Sequence, residues 1–396
     1  MKYPTRHIAT GSSAFSSYWH SENAPYLTGL LSSTINLNAA ETRVAYYNQV
    51  DELADAVAQE LFTDNDFNKG IHAFYLILKQ YPQQREATSN AVQQLLDPLF
   101  IIPDWLDKDL LDAGCRLCNR SGTFGLATLR NYSLMGGYES AAINKPLIFT
   151  EALKKGAIKR LSDTIVFWIN VTTSKGLEFG NPGFISTIMT HIIHAYSRMQ
   201  IEVNANWDSN AWGRPLNQWD MQATNLGFSI VFIDGLKKLG FTPTQREIEG
   251  VLHLWKYIGH LIGLPKELLI DTEEQAVEEL FLWTKTQKGA DEDSQSLAHS
   301  LYQEPQEVQF TKSKLLKTFI QKTNLGYNNF LLGNRSCEAL NLQKTSAIHW
   351  VRWLSFINRK QEKSRLRDTK KYAKAVAKGH REQLDVLSLY QKNNAK

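Results

Sequence analysis

The stretch GFISTIMTHIIHAYSRMQ (183–200) carries two histidines, His191 and His194, one helical turn apart in apolar surroundings. A buried imidazole is costly unless its ring nitrogens are occupied. Each histidine is therefore either a satisfied core residue or a metal ligand. Arg198 shares a face with His194, four residues further on. A second segment, KRLSDTIVFW (159–168), places Arg160 and Thr164 on one face, with Trp168 one turn beyond. One imidazole on an apolar helix, with a guanidinium and a hydroxyl from another helix, suits a haem pocket. There a histidine ligates iron axially, and a cation neutralises a propionate or steadies dioxygen. Zinc would want three or four convergent ligands, which the sequence does not visibly supply.

Other chemistries find little support. There is no HExxH, paired ExxH, P-loop, GxGxxG or GxSxG. Cys115 and Cys118 form a CxxC with no second pair and no following His. They read as packing residues of a helix rather than a redox pair or half a zinc site. His253 and His260 lie seven apart with nothing to complete a ligand set, and read as exposed or core-satisfied.

The elements that must hold these residues are helical. Asn181-Pro182 opens the histidine helix, with Pro in its first turn. Thr244 and Glu247 form a capping box, Thr272 starts another helix, and Asn217 caps one that runs to Gly240. Apolar residues at 158, 161, 165 and 168 recur at helical spacing. The fold class is therefore all-α. We expect one large helical domain over residues 1–285, a polar connection at 286–312 and a C-terminal helical extension at 313–396.

With 396 residues, 43% of them hydrophobic and 11% aromatic, the chain can enclose a capacious core or a large flat ligand. Three cysteines are too few for a disulfide scaffold. The first residues lack the apolar run of a signal peptide, so a cytoplasmic location is expected. The net charge of +4 hides a basic segment from Arg359 to Arg381, with ten Lys/Arg against Glu362 and Asp368. That segment is a solvated helix face, open to weak contact with an acidic surface; nucleic acid is not an expected partner.

Several blocks in order resemble the latex-clearing-protein (rubber oxygenase) and MpaB-like oxygenase family: DELADAVAQEL, SLMGGYESAAINKPLIFT, the Arg160/Thr164 helix, HIIHAYSRM, PLNQWDMQATNLGFS and HLWKYIGHLIGLP. The resemblance is to chains whose globin-like helical core binds one b-type haem. It implies His194 as the proximal iron ligand and Arg160 and Thr164 as the pocket's Arg and Thr. It implies His191 as a helper beside a propionate, with Arg198 in support. Two positions depart from the family: Asp163 stands where a Lys precedes the pocket Thr, and the pocket glutamate has only Asn144 or Glu151 nearby. The implied function is a haem b-dependent oxygenase using dioxygen on an apolar, unsaturated or lipid-like substrate. The alternative is a haem-binding sensor, carrier or scaffold without turnover.

Overall fold

The computed structural model describes residues 4, 15, 18–19, 25–31, 39–64, 66–149 and 156–394. Among the described residues there is no β-strand, and the fold is all-α. The longer helices are α1 (Glu52–Phe62), α2 (Phe67–Gln80), α3 (Asn90–Leu96), α4 (Lys108–Arg120) and α5 (Gly122–Thr128). A π-helical segment, Leu129–Leu134, continues α5. Then come α6 (Ala141–Phe149), α7 (Gly156–Thr172), α8 (Pro182–Asn204), α9 (Gln218–Phe228), α10 (Ile230–Lys238) and α11 (Gln245–Leu261). The chain finishes with α12 (Glu273–Lys285), α13 (Glu292–Glu307), α14 (Lys314–Ala339), α15 (Ala347–Arg365) and α16 (Thr369–Asn394).

The starts of these helices follow from side chains that accept otherwise orphaned amide protons. Asp51 accepts from Ala54 at the head of α1, Asn217 from Asp220 at α9, and Thr272 from Gln275 at α12. Thr244 and Glu247 cap one another at α11 as a reciprocal box. The helix expected from Asn217 through to Gly240 is two helices. At Ser229 the backbone leaves the helical region (φ −108°, ψ −88°), and its hydroxyl donates to the carbonyl of Asn225. The break re-aims α10, whose residues Ile230 to Ile233 and Leu236 are all fully buried. Most of α10 is thus buried in the core, where its Asp234 and Lys238 pair with each other at 3.0 Å.

Two close approaches set the framework. Gly114 of α4 meets Gly250 of α11 backbone to backbone; a Cβ on Gly114 would lie 2.3 Å from the Gly250 carbonyl oxygen. Helices α7 and α8 pack as an antiparallel hairpin, pinned where the Asn170 amide donates to Ser186 Oγ at 2.8 Å. Both rise about 1.5 Å per residue, so stepping back along α7 and forward along α8 keeps residues level. His194 therefore lies opposite Ser162, between the levels of Arg160 and Thr164.

The stretch 286–312, expected as a polar connection, holds α13. Asp291 caps it, its acidic residues occupy the first turn, and Leu297, Ala298 and Leu301 are fully buried. Acidic residues there satisfy a helix N-terminus rather than mark a linker. The C-terminal helices are likewise part of the body. Arg120 of α4 is buried between two carboxylates, Glu247 of α11 (2.7 Å) and Glu362 of α15 (2.5 Å), and Tyr372 of α16 donates to Glu247 at 2.7 Å. One guanidinium thus ties four helices together.

Candidate functional site

The helices enclose a cavity of about 960 Å³, at the upper end of the range for small-molecule sites. Its walls are mainly apolar. Trp168 and Ile165 come from α7, Phe228 and Ala223 from α9, Leu126 from α5, and Trp283 from α12. The start of α14 and the end of α16 complete it, through Phe319, Ile320, Leu389 and Tyr390.

His194 and Thr164 are both part of this wall. His194 lies deep in the protein yet keeps accessible surface on the cavity side. Its Nδ1 has no hydrogen-bond partner among the described residues. Burial, reinforced by nearby His191 and Arg198, pushes its pKa down to about 3. The ring is therefore neutral at physiological pH, and a neutral imidazole keeps one nitrogen lone pair.

Arg160 lies behind the wall, beside the hydroxyl of Tyr138. Its Nε is buried without a partner, and its guanidinium has no ion pair among the described residues. Tyr138 does line the cavity, and its hydroxyl also lacks a hydrogen bond. Burial pushes the Tyr138 pKa up, and Arg160 and Arg130 pull against that rise. Thr164 spends its proton on the Arg160 backbone carbonyl at 2.8 Å, so toward a ligand it presents an acceptor.

The other expected ligand-side residues point elsewhere. His191 hydrogen-bonds Asp51 at 2.8 Å, with its Nε2 engaged, and does not line the cavity. Burial disfavours the Asp51 carboxylate, but the hydrogen bonds from His191 and the Ala54 amide outweigh it and hold its pKa below the usual value. Arg198 grips Asp55 through Nε (2.8 Å) and NH2 (2.6 Å), and donates to the Leu216 carbonyl. These two side chains lock α8 onto α1 instead of reaching a propionate, because each already has a carboxylate partner. Asp163, expected to replace a pocket lysine, is 63% exposed and paired with Lys159 at 2.7 Å on the outer face of α7. Asn144 lines the cavity, with its amide donating to the carbonyls of Tyr138 and Ser140. Glu151 lies outside the described residues.

Cys115 and Cys118 are free and buried in α4, and burial pushes the Cys115 thiol up to about 12. His253 accepts from the Asp107 amide, and His260 packs on Trp105.

Sequence reasoning missed Tyr138, Arg130 and Ser133, which belong to the cavity wall. Arg130 and Ser133 sit on the π-helical segment, where the widened turn changes which side chains face inward. No spacing rule marks such a segment. Arg130 is anchored by Glu304 of α13 at 3.0 Å, and Glu304 also accepts from Tyr390 of α16 at 2.8 Å.

Residues 127–359 match the family described as ER-bound oxygenase mpaB/B'/Rubber oxygenase, catalytic domain. The matched segment runs from the end of α5 into α15, past the boundary expected at residue 285. A Rubber oxygenase from Streptomyces sp. (strain K30) is 22% identical over 240 residues, covering 57% of this chain and 56% of that protein. The chain thus spans about half the length of that relative. Among solved structures, one titled "Structure of Latex Clearing Protein LCP in the closed state" matches with a TM-score of 0.61 at 16% identity. The match covers 79% of this chain and 84% of that one, and it is a likeness of fold.

Proposed function

Because the chain belongs to the mpaB/rubber oxygenase catalytic-domain family, we propose that it is a haem b-dependent oxygenase acting on an apolar, lipid-like substrate with dioxygen. The observation that carries this reading is His194, a deeply placed neutral imidazole that lines an apolar cavity of about 960 Å³.

The residues present fit a haem. His194 would hold the iron. Arg160, a cation without a counter-ion among the described residues, would meet an anionic edge such as a propionate, with the free Tyr138 hydroxyl beside it. A haem bound there supplies one-electron and dioxygen chemistry. The protein's own part is positional. The Asp51–His191 and Asp55–Arg198 pairs fix the helix that carries His194. Trp168, Phe228 and Ile165 exclude water and give a long apolar substrate a surface to lie on. Thr164 can accept a hydrogen bond at the wall but has no free proton to give.

Haem-loaded, reduced protein mixed with oxygen and a long-chain alkene or fatty acid tests the reading. An oxygenase yields oxygenated product in proportion to haem within one turnover. Autoxidation without product would leave the carrier or sensor reading in its place.

A further inference from the structure

The cavity's wall continues onto the outside of the molecule. Phe319 lines the cavity and is 59% exposed; Leu389 of α16 also lines it and is 37% exposed. Next to Phe319, on the first turns of α14, Leu315 is 85% exposed and Leu316 is 44% exposed. Positions 315, 316 and 319 share one helix face, so the mouth is bordered by an apolar ridge standing in solvent.

The charge around this ridge is one-sided. From Val308 to Cys337 the sequence has Lys312, Lys314, Lys317, Lys322 and Arg335 and no acidic residue. Lys312, Lys314 and Lys322 are exposed and form no ion pair among the described residues. Lys317 donates to the Gln306 carbonyl. The acids nearest in sequence are Glu307, at the end of α13, and Glu338, at the far end of α14, while α16 brings Asp385 one turn before Leu389.

We propose that this mouth docks on an anionic lipid surface, with Leu315, Leu316 and Phe319 entering the leaflet and the lysines meeting lipid phosphates, so that the cavity opens toward the membrane. Apolar side chains flanked by lysines whose stems can snorkel are what an interfacial helix presents. A second copy of the chain would bring the same lysines face to face, which charge disfavours. No helix among the described residues is long and apolar enough to cross a membrane, so this contact is peripheral.

The claim concerns binding alone and can fail independently of the oxygenase reading. Full-length protein is sedimented with vesicles of phosphatidylcholine, with or without phosphatidylserine, at low and high salt. The expected result is binding that requires phosphatidylserine and weakens with salt. Leu315→Ser/Leu316→Ser should lower it roughly ten-fold or more, and Lys312→Gln/Lys314→Gln should weaken the phosphatidylserine-dependent binding, at roughly five-fold per lysine neutralised. Trp353→Ser, on an exposed aromatic stripe of α15 that takes no part in the cavity, serves as the control and should bind as wild type does. Unchanged melting curves would confirm that the variants are folded. The proposal is overturned by absence of phosphatidylserine-dependent binding, by mouth variants that bind normally, or by loss confined to Trp353→Ser. A wild-type dimer that only the mouth variants dissociate, with no vesicle binding, would also overturn it and assign the ridge to a second copy.

Discussion

The guanidinium of Arg198 closes on the carboxylate of Asp55 with two nitrogens, Nε at 2.8 Å and NH2 at 2.6 Å, one helical turn beyond His194. The pair joins α8 to α1 and sets the height and rotation at which His194 faces the cavity. Asp55→Asn removes the charge that Arg198 needs while keeping the shape. The expected cost is about 2 kcal/mol of unfolding free energy, measured by urea titration. Arg198→Lys keeps the charge but loses the two-pronged geometry, and should cost a similar or smaller amount.

A second prediction concerns pH. In the folded, haem-free protein His194 has a pKa near 3, against about 6.5 in an unfolded chain. The unfolded state therefore binds a proton that the folded state refuses. The stability contribution is fully present above about pH 6.5 and falls as the pH drops toward 3, by at most about 1.4 kcal/mol per pH unit. Denaturant titrations across this range should show a steeper loss for the wild type than for His194→Leu. Parallel curves for the two proteins would refute it.

The buried Arg120 gives a third. It neutralises both Glu247 and Glu362, so Arg120→Met leaves Glu247 buried without its cation and Glu362 with Arg365 alone. Breaking such a cluster from one side costs roughly 3 to 5 kcal/mol. Because α15 and α16 hang on this cluster, limited proteolysis should begin in the C-terminal helices before the rest of the chain.

Gly114 supplies a fourth. An alanine there would press its Cβ to 2.3 Å from the Gly250 carbonyl oxygen, and neither backbone can yield without separating α4 from α11. The expected loss is roughly 1 to 3 kcal/mol, and thermal unfolding should report it. Gly137→Ala, with open space around its Cβ, is the matched comparison and should change stability far less.

Much of the helical frame was legible in the sequence, because caps are local. Thr244, Thr272, Asn217 and Pro182 each mark a start that the structure has. Levelling His194 with the Arg160/Thr164 turn needed the Asn170–Ser186 contact, which only the structure supplies. The directions of side chains were harder to read. Asp163 next to Thr164 looked like a pocket residue, although Lys159 four residues earlier already offered it a partner on the outer face. His191 and Arg198 find their carboxylates on α1, more than a hundred residues away in sequence, and no local pattern announces that. Arg130 and Ser133 depend on a π-helical turn, and Tyr138 on the chain reversal just after it. The break at Ser229 and the helical nature of 292–307 were hidden for another reason. Burial against neighbours, rather than composition, decided both.

Whether His194 holds haem iron is read out by an optical spectrum. Wild-type protein and His194→Ala are produced with ample haem precursor, purified side by side, and scanned oxidised and reduced with haem quantified. The expected result is a Soret band near one haem per chain in the wild type, and in His194→Ala a band that is lost or shifted with a changed ligand signature. A wild-type protein without Soret absorption, or a His194→Ala variant with the wild-type spectrum and haem content, would contradict it.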